Sequence, residues 1–278
     1  MERNPIINFA LKFNRGEELQ NYVDAVTSVS LGQKSAYDTI TNIIDNRQRP
    51  NTFFLQGPAA TVKTFLYKTF CNLYRSQGNI VLCAASSGIV ALLLAYRRTA
   101  HSLINIPIDS NEDSRRRMPG NSNIANLIRQ THLIIWDEVT MQNKYDSAAV
   151  DKTLRWLLDS SDLIGGISVV LGGDFAQISP VEKRGRREQT ISACIRSWSE
   201  WVSLQPLFLI QNMCELYRIT KMNAFHNGYR NFLKIIDFTA YQLSRNRLQP
   251  PRTEKNFENL CIHLNNFAKA TSTYLWIE

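Results

Sequence analysis

The sequence predicts an α/β fold in which a mostly parallel β-sheet is sandwiched by helices. Three short apolar segments, residues 53–55, 133–136 and 167–171, have the length and composition of buried strands. Each of them runs into a cluster of glycine or polar residues. Ligands of open parallel sheets bind at the carboxyl ends of the strands. We therefore expect the three clusters to form one site.

The first strand leads into a loop that resembles a phosphate-binding loop, or P-loop. Backbone N–H groups of such a loop cradle the phosphates of a nucleotide, and they precede a Lys-Ser/Thr pair that opens a helix. Here Lys63 would reach the β- and γ-phosphates, and the hydroxyl of Thr64 would ligate Mg²⁺. The predicted nucleotide-binding residues are Gly57, Pro58, Ala59, Ala60, Thr61, Val62, Lys63 and Thr64.

One position of this loop departs from the P-loop pattern. The pattern has glycine directly before the lysine, whereas this chain has Val62. A β-branched residue resists the unusual backbone shape of the loop, at a cost of roughly 1–3 kcal/mol. We therefore expect nucleotide affinity to be reduced about ten- to hundredfold.

The second and third strands end in residues suited to phosphoryl transfer. Asp137 and Glu138 follow the second strand. Asp137 would hold the Mg²⁺ shell, and Glu138 would activate the attacking water. The third strand runs into residues 172–177, where Gln177 is placed to sense a γ-phosphate. Any one cluster is compatible with a strand followed by a solvated turn, but the three together favour a nucleotide site.

As a set, these segments resemble the Pif-type DNA helicases of superfamily one, most closely those carried by Helitron transposons. The resemblance covers about residues 25–213. It implies a RecA-like P-loop NTPase domain that uses ATP and Mg²⁺ and moves 5′ to 3′ along single-stranded DNA. At the level of the family it also implies DNA repair, recombination and telomere maintenance, DNA junctions as partners, and a nuclear location. The matching segments are residues 54–58, 85–94, 98–102, 133–138 and 172–180.

The resemblance also assigns roles to single residues. Gln33, within a segment similar to the family's glutamine motif, would read the adenine edge. Glu138 and Gln177 are the expected catalytic residues. Ordinary helix capping by Ser86 or Ser87 is as good an explanation of those two serines as DNA contact. The expected DNA-binding residues are Ser86, Ser87, Thr99, His101 and Ser102.

Some departures from the family pattern bear on activity. The family has arginine where Ala176 stands, and arginine where Cys214 follows Asn212-Met213. Positive charge near the γ-phosphate stabilises the transferring phosphoryl group. An alternative is therefore a catalytically inactive remnant of a transposon helicase that still binds nucleotide or DNA. A small-molecule kinase on the same fold is a weaker alternative, because no lid or acceptor site is recognisable.

The chain divides into three segments by pattern. Residues 1–24 are a lead-in, residues 25–213 form the ATPase domain with a small insertion at about 106–123, and residues 214–278 form a divergent tail. The tail is shorter than a typical domain of ~100–150 residues. We therefore expect that a second motor domain is missing and that the chain alone does not unwind duplex DNA.

Composition narrows the classes of function. The net charge of +8, from 32 Lys and Arg against 24 Asp and Glu, favours a polyanionic partner. The five cysteines lack Cys-x-x-Cys spacing and the four histidines do not cluster, which argues against a zinc site and for a reduced intracellular protein. No stretch reaches the ~20 apolar residues that span a bilayer.

Trp156, Trp198 and Trp201 are expected to pack in the core or between helices rather than to stack on bases.

Overall fold

A six-stranded parallel sheet forms the centre of the fold, as the sequence predicts. In the computed structural model the strands lie in the order β3-β2-β4-β5-β1-β6, and all five neighbouring pairs are parallel. The structure describes residues 4–58, 61, 63–86, 98–99, 118–177, 180 and 186–210. The strands are β1 (Thr52–Gln56), β2 (Ile80–Ala85), β3 (Arg98–Thr99), β4 (Thr131–Asp137), β5 (Ser168–Gly173) and β6 (Gln205–Phe208).

Helices cover both faces of the sheet. The described helices are α1 (Pro5–Ala10), α2 (Arg15–Thr27), α3 (Leu31–Asp45), α4 (Lys63–Ser76), α5 (Asn123–Arg129), α6 (Lys144–Leu158) and α7 (Arg187–Ala193). Short 3₁₀ turns lie in the segments that join helices to strands: Val139–Met141, Leu163–Gly166, Ile195–Ser197 and Ser199–Ser203.

Alternation along the strands separates two hydrophobic layers. Phe53 and Leu55 of β1 belong to the layer under α3 and α4, whereas Phe54 belongs to the opposite layer under α5 and α6. Successive side chains of a strand point to opposite faces. Because all three residues are almost completely buried, β1 is covered on both sides, as expected for a central strand of a parallel sheet.

Residues 4–24, which are the described part of the expected lead-in, contribute to two helices of the fold. Helix α2 packs along α4, and α1 packs against α5. Their N-termini are capped by side chains, since Asn4 accepts a hydrogen bond from the N–H of Ile6 and Asn14 accepts one from the N–H of Gly16. Helix α2 has no fully buried residue, which explains why its apolar spacing is a weak signal.

The three tryptophans differ in their surroundings. Trp198 is buried, and the ring of Trp201 packs against Phe54 with 4.8 Å between ring centroids. Trp156 on α6 is 55% exposed, so the expectation of a core position is wrong for this residue. Its neighbours Leu154 and Leu157 occupy the buried face of the helix, which turns Trp156 outward.

The described part of the chain contains neither a membrane-spanning helix nor a histidine-, cysteine- or carboxylate-rich metal cluster. None of its helices is long and apolar enough to cross a bilayer. No group of three or more His, Cys, Asp or Glu residues is arranged to hold a metal ion.

We predict that Ile40 anchors α3 to the sheet. Its side chain is fully buried in the layer shared with α4. Ile40→Ala should lower the free energy of unfolding by about 2–5 kcal/mol, because it removes buried methyl groups and leaves a cavity. Ser35→Ala, on the exposed side of the same helix, is the control and should change it by less than about 0.5 kcal/mol. Urea unfolding followed by circular dichroism measures both, and equal effects would contradict this packing.

Candidate functional site

The P-loop lysine lies at the carboxyl end of β1. Helix α4 begins at Lys63, whose side chain is only 8% exposed and whose Nζ donates to the carbonyl oxygen of Gly57 at 2.6 Å. The N–H of Gly57 in turn donates to the carbonyl oxygen of Gly173 at 3.3 Å, which joins the loop to the end of β5. Pro58 is exposed, Thr61 is buried and Thr64 is partly buried. Ala59, Ala60 and Val62 lie outside the described residues.

Asp137 is buried at the end of β4, beside this lysine. Its Oδ1 accepts hydrogen bonds from the hydroxyl of Tyr67 at 3.1 Å and from the N–H of Glu138 at 3.0 Å. Burial raises the pKa of Asp137, whereas the charge of Lys63 and the two hydrogen bonds act in the opposite direction. Burial also raises the pKa of Tyr67 well above its usual value, so its hydroxyl keeps the proton that it donates.

Glu138 leaves the strand in an unusual backbone conformation. Its φ of 53° and ψ of 38° place it in the left-handed region, before the 3₁₀ turn Val139–Met141. Non-glycine residues are uncommon there and often mark functional sites. Burial first, and then the negative charges of Asp137 and Asp174, raise the pKa of Glu138 to about 7, against the opposing charge of Lys63. A carboxylate with such a pKa suits a general base near neutral pH.

The end of β5 lies against the same region and is closely packed. A Cβ added at Gly173 would lie 2.6 Å from Cγ2 of Thr140. The hydroxyl of Thr140 donates to the carbonyl oxygen of Asp174 at 3.5 Å. The Asp174 side chain caps the following turn by accepting from the N–H of Ala176 at 3.0 Å. Gln177 follows in this turn and is exposed, so its proposed role as a γ-phosphate sensor stays a prediction.

Ser86 connects the ends of β2 and β4. Its N–H and its hydroxyl both donate to the carbonyl oxygen of Asp137, at 3.1 and 3.3 Å. The indole N–H of Trp136 donates to the Ser86 hydroxyl at 3.3 Å. No sequence pattern indicates that Ser86 links the ends of β2 and β4. DNA contact and helix capping by Ser86 both stay predictions. Thr99 is described only as the end of the edge strand β3, and Ser87, His101 and Ser102 lie outside the described residues.

Gln33, the expected adenine reader, caps the helix in which it lies. It is the third residue of α3, and its side-chain oxygen accepts from the N–H of Ser30 at 3.2 Å. The Ser30 hydroxyl accepts from the N–H of Gln33 at 3.3 Å, which completes a capping box. Gln33 is only 3% exposed. The contact of Gln33 with adenine stays a prediction.

The donor set at this edge of the sheet fits Mg²⁺. A buried carboxylate from Asp137 and a hydroxyl from Thr64, at the start of the helix that also carries Lys63, are oxygen ligands of the kind that Mg²⁺ uses. Such sites usually hold Mg²⁺ through one or two protein ligands plus phosphate oxygens and waters. The carboxylate of Asp137 would therefore suffice as the charged protein ligand of such a site.

We predict that Gly173 and Thr140 are energetically coupled. Gly173→Ala should destabilise the fold by about 1–3 kcal/mol, because the added methyl group meets the side chain of Thr140. In a Thr140→Ala background the nearest atoms are gone, and the same substitution should cost markedly less. A double-mutant cycle of unfolding free energies tests this. Strictly additive losses would show that the two side chains do not compete for the same space.

Comparison with known proteins agrees with this geometry. The PIF1-like helicase family model matches residues 28–239. The ATP-dependent DNA helicase Pif1 of a Psychrobacter species is 30% identical over 135 residues, which are 48% of this chain and 20% of that protein. PIF1 of Emericella nidulans is 24% identical over 194 residues, which are 68% of this chain and 25% of that protein. This chain thus matches only about a fifth to a quarter of the length of these curated relatives.

Solved structures show the same fold. Pif1 from Bacteroides sp. in complex with ADP-AlF4 is 26% identical, with a TM-score of 0.52 over 63% of this chain and 41% of that one. Pif1 from Candida albicans has a TM-score of 0.54 over 66% of this chain and 40% of that one, at 21% identity. These neighbours confirm the RecA-like α/β fold. The family match extends over most of the chain and includes the strands and turns that carry the site. The protein belongs to the PIF1-like helicase family.

Proposed function

We propose that this chain is the ATP-binding motor domain of a 5′ to 3′ DNA helicase, with ATP hydrolysis at the carboxyl ends of β1, β4 and β5. The observation that carries the proposal is the placement of Lys63, Asp137 and Glu138. Lys63 and the adjacent pair Asp137-Glu138 come from two distant segments of the sequence, and all three residues are largely buried at one edge of the sheet. The pKa values of the two carboxylates, Asp137 and Glu138, are raised by burial, and buried carboxylates with raised pKa values that lie close together are typical of catalytic sites.

Each side chain has a distinct task in hydrolysis. Lys63, which now donates to the carbonyl oxygen of Gly57, would exchange that acceptor for the β- and γ-phosphate oxygens of ATP. Asp137 and Thr64 would hold Mg²⁺, which neutralises charge that develops on the phosphates. Glu138 would accept a proton from the attacking water. Gln177 would contact the γ-phosphate, and Gln33 would read the adenine.

The proposed nucleic-acid partner is single-stranded DNA. A Pif1 structure from Bacteroides, 25% identical to this chain, is described as bound to single-stranded DNA, and the net charge of +8 favours a polyanion. We assign DNA contact to Ser86, Ser87, Thr99, His101 and Ser102, and the ATPase domain to residues 25–213. A nuclear location, action at DNA junctions, and roles in repair, recombination and telomere maintenance extend the same proposal.

A second candidate function is a nucleotide- or DNA-binding remnant without catalysis. The observation in its favour is Ala176, which is exposed in the turn after β5 and supplies no charge where the family has arginine. Under this alternative the buried carboxylates would still support Mg²⁺-dependent nucleotide binding. The two candidates therefore differ in turnover and not in affinity.

We predict that Glu138→Gln abolishes ATP hydrolysis and leaves ATP binding intact. The amide has nearly the same shape as the carboxylate but is a far poorer base, and loss of a general base typically costs 10²–10⁴-fold in rate. Phosphate release with and without single-stranded DNA measures the rate, and a fluorescent ATP analogue measures binding. Glu17→Gln, the same change on the exposed side of α2, is the control.

The unchanged protein should hydrolyse ATP faster when single-stranded DNA is present. Equal rates for the unchanged chain and Glu138→Gln, with ATP bound by both, would favour the remnant. Absence of ATP binding to the unchanged chain would contradict both candidate functions.

A further inference from the structure

Tyr67 belongs to the site although none of the sequence motifs includes it. It lies four residues after Lys63 on α4, and residues with that spacing share one face of a helix. Its side chain is fully buried. Its hydroxyl donates to Oδ1 of Asp137 at 3.1 Å. Helix α4 therefore brings both the P-loop lysine and a second polar group to the edge of the sheet.

The sheet makes room for this hydroxyl at Gly172. A Cβ added to Gly172 would overlap the hydroxyl oxygen of Tyr67 and lie 3.0 Å from Oδ1 of Asp137. Both Tyr67 and the strand at Gly172 are buried, so neither can move aside easily. Only glycine at position 172 is compatible with this contact.

The two hydrogen bonds to Asp137 fall on the same oxygen. Oδ1 accepts from Tyr67 and from the N–H of Glu138. Together they fix the rotation of the carboxylate about its Cβ–Cγ bond. Because both of these donors contact Oδ1, neither of them occupies Oδ2. Fixing this rotation also fixes the direction of Oδ2, the oxygen of Asp137 that would bind a cation.

We propose that Tyr67 is a positioning residue for Mg²⁺, which acts by orienting the carboxylate of Asp137, and that Gly172 is required for that contact. The inference rests on the proposed nucleotide site. It adds a residue pair outside the motifs that determines how strongly Mg²⁺ supports nucleotide binding. Partners that orient a metal ligand typically contribute 10–100-fold to metal affinity.

Helix α4 supplies a matched control. Tyr74 is seven residues further along the helix and is also fully buried, and its hydroxyl donates to Oδ1 of Asp45 at 3.2 Å. Tyr67→Phe and Tyr74→Phe therefore each remove a hydroxyl that donates to a carboxylate, which is buried in the case of Asp137 and exposed in the case of Asp45. Only Tyr67→Phe affects a carboxylate of the site.

The experiment titrates Mg²⁺ into each protein in the presence of a fluorescent, non-hydrolysable ATP analogue. Tyr67→Phe should raise the Mg²⁺ concentration at half-maximal binding about tenfold. Tyr74→Phe should leave this midpoint unchanged. Binding of the analogue in EDTA should be the same in all three proteins, because the contact acts only through the cation. Thermal unfolding is recorded for each variant, and we expect the larger loss of stability in Tyr67→Phe, because the carboxylate that loses its donor there is buried.

Gly172→Ala tests the second half of the proposal. In the unchanged background the added methyl group should displace the Tyr67 hydroxyl and raise the Mg²⁺ midpoint by at least as much as Tyr67→Phe. In the Tyr67→Phe background it should raise the midpoint by a smaller factor, because the hydroxyl is already absent, although Cζ of residue 67 and Oδ1 of Asp137 still lie 2.8 and 3.0 Å from the added methyl carbon. Independent, multiplying effects of the two substitutions would contradict the requirement for Gly172.

The outcomes separate this inference from the proposed function. An unchanged Mg²⁺ midpoint in Tyr67→Phe, with the analogue bound by the unchanged chain, would overturn the positioning role alone. An equal rise in Tyr67→Phe and Tyr74→Phe would attribute the effect to general loosening of α4 and would also overturn it. Failure of the unchanged chain to bind the analogue at any Mg²⁺ concentration would overturn the proposed function and this inference together.

Discussion

The burial of Asp137 is the constraint on which the site depends. A carboxylate in an apolar interior is costly unless charge or hydrogen bonds compensate for the lost water. Here Lys63 supplies the charge, and Tyr67 and the N–H of Glu138 supply the hydrogen bonds. Both side-chain partners come from α4, so the helix after the P-loop must pack tightly on β4.

Close packing follows from this constraint. Helix α4 approaches the sheet over Gly172, and the turn after β4 approaches it over Gly173, where Thr140 lies. A larger residue at position 172 would push α4 away from β5. A larger residue at position 173 would push away the turn Val139–Met141, which contains Thr140. The N–H of Gly57 completes the contact between β1 and β5 through the carbonyl oxygen of Gly173. These contacts hold the carboxyl ends of β1, β4 and β5 together.

The sequence predicts the fold and the main residues of this site because their signals are local. Apolar runs such as residues 133–136 identify central strands, Lys63 follows the loop after β1, and Asp137 ends β4. Tyr67 gives no such signal, since a tyrosine in an apolar helix face is indistinguishable from an ordinary core residue. Its role emerges only when β4, β5 and α4 are brought together. The helical N-terminal segment is missed for a different reason, because α2 buries no residue completely.

The central claim is that Asp137 is the charged ligand through which Mg²⁺ strengthens nucleotide binding. The most direct test is calorimetric titration of a non-hydrolysable ATP analogue, with and without Mg²⁺, into the unchanged chain and into Asp137→Asn. Asparagine keeps the size and removes the charge. Mg²⁺ should tighten binding to the unchanged chain about tenfold or more and should have little effect on Asp137→Asn. The same gain from Mg²⁺ in both proteins would contradict the claim.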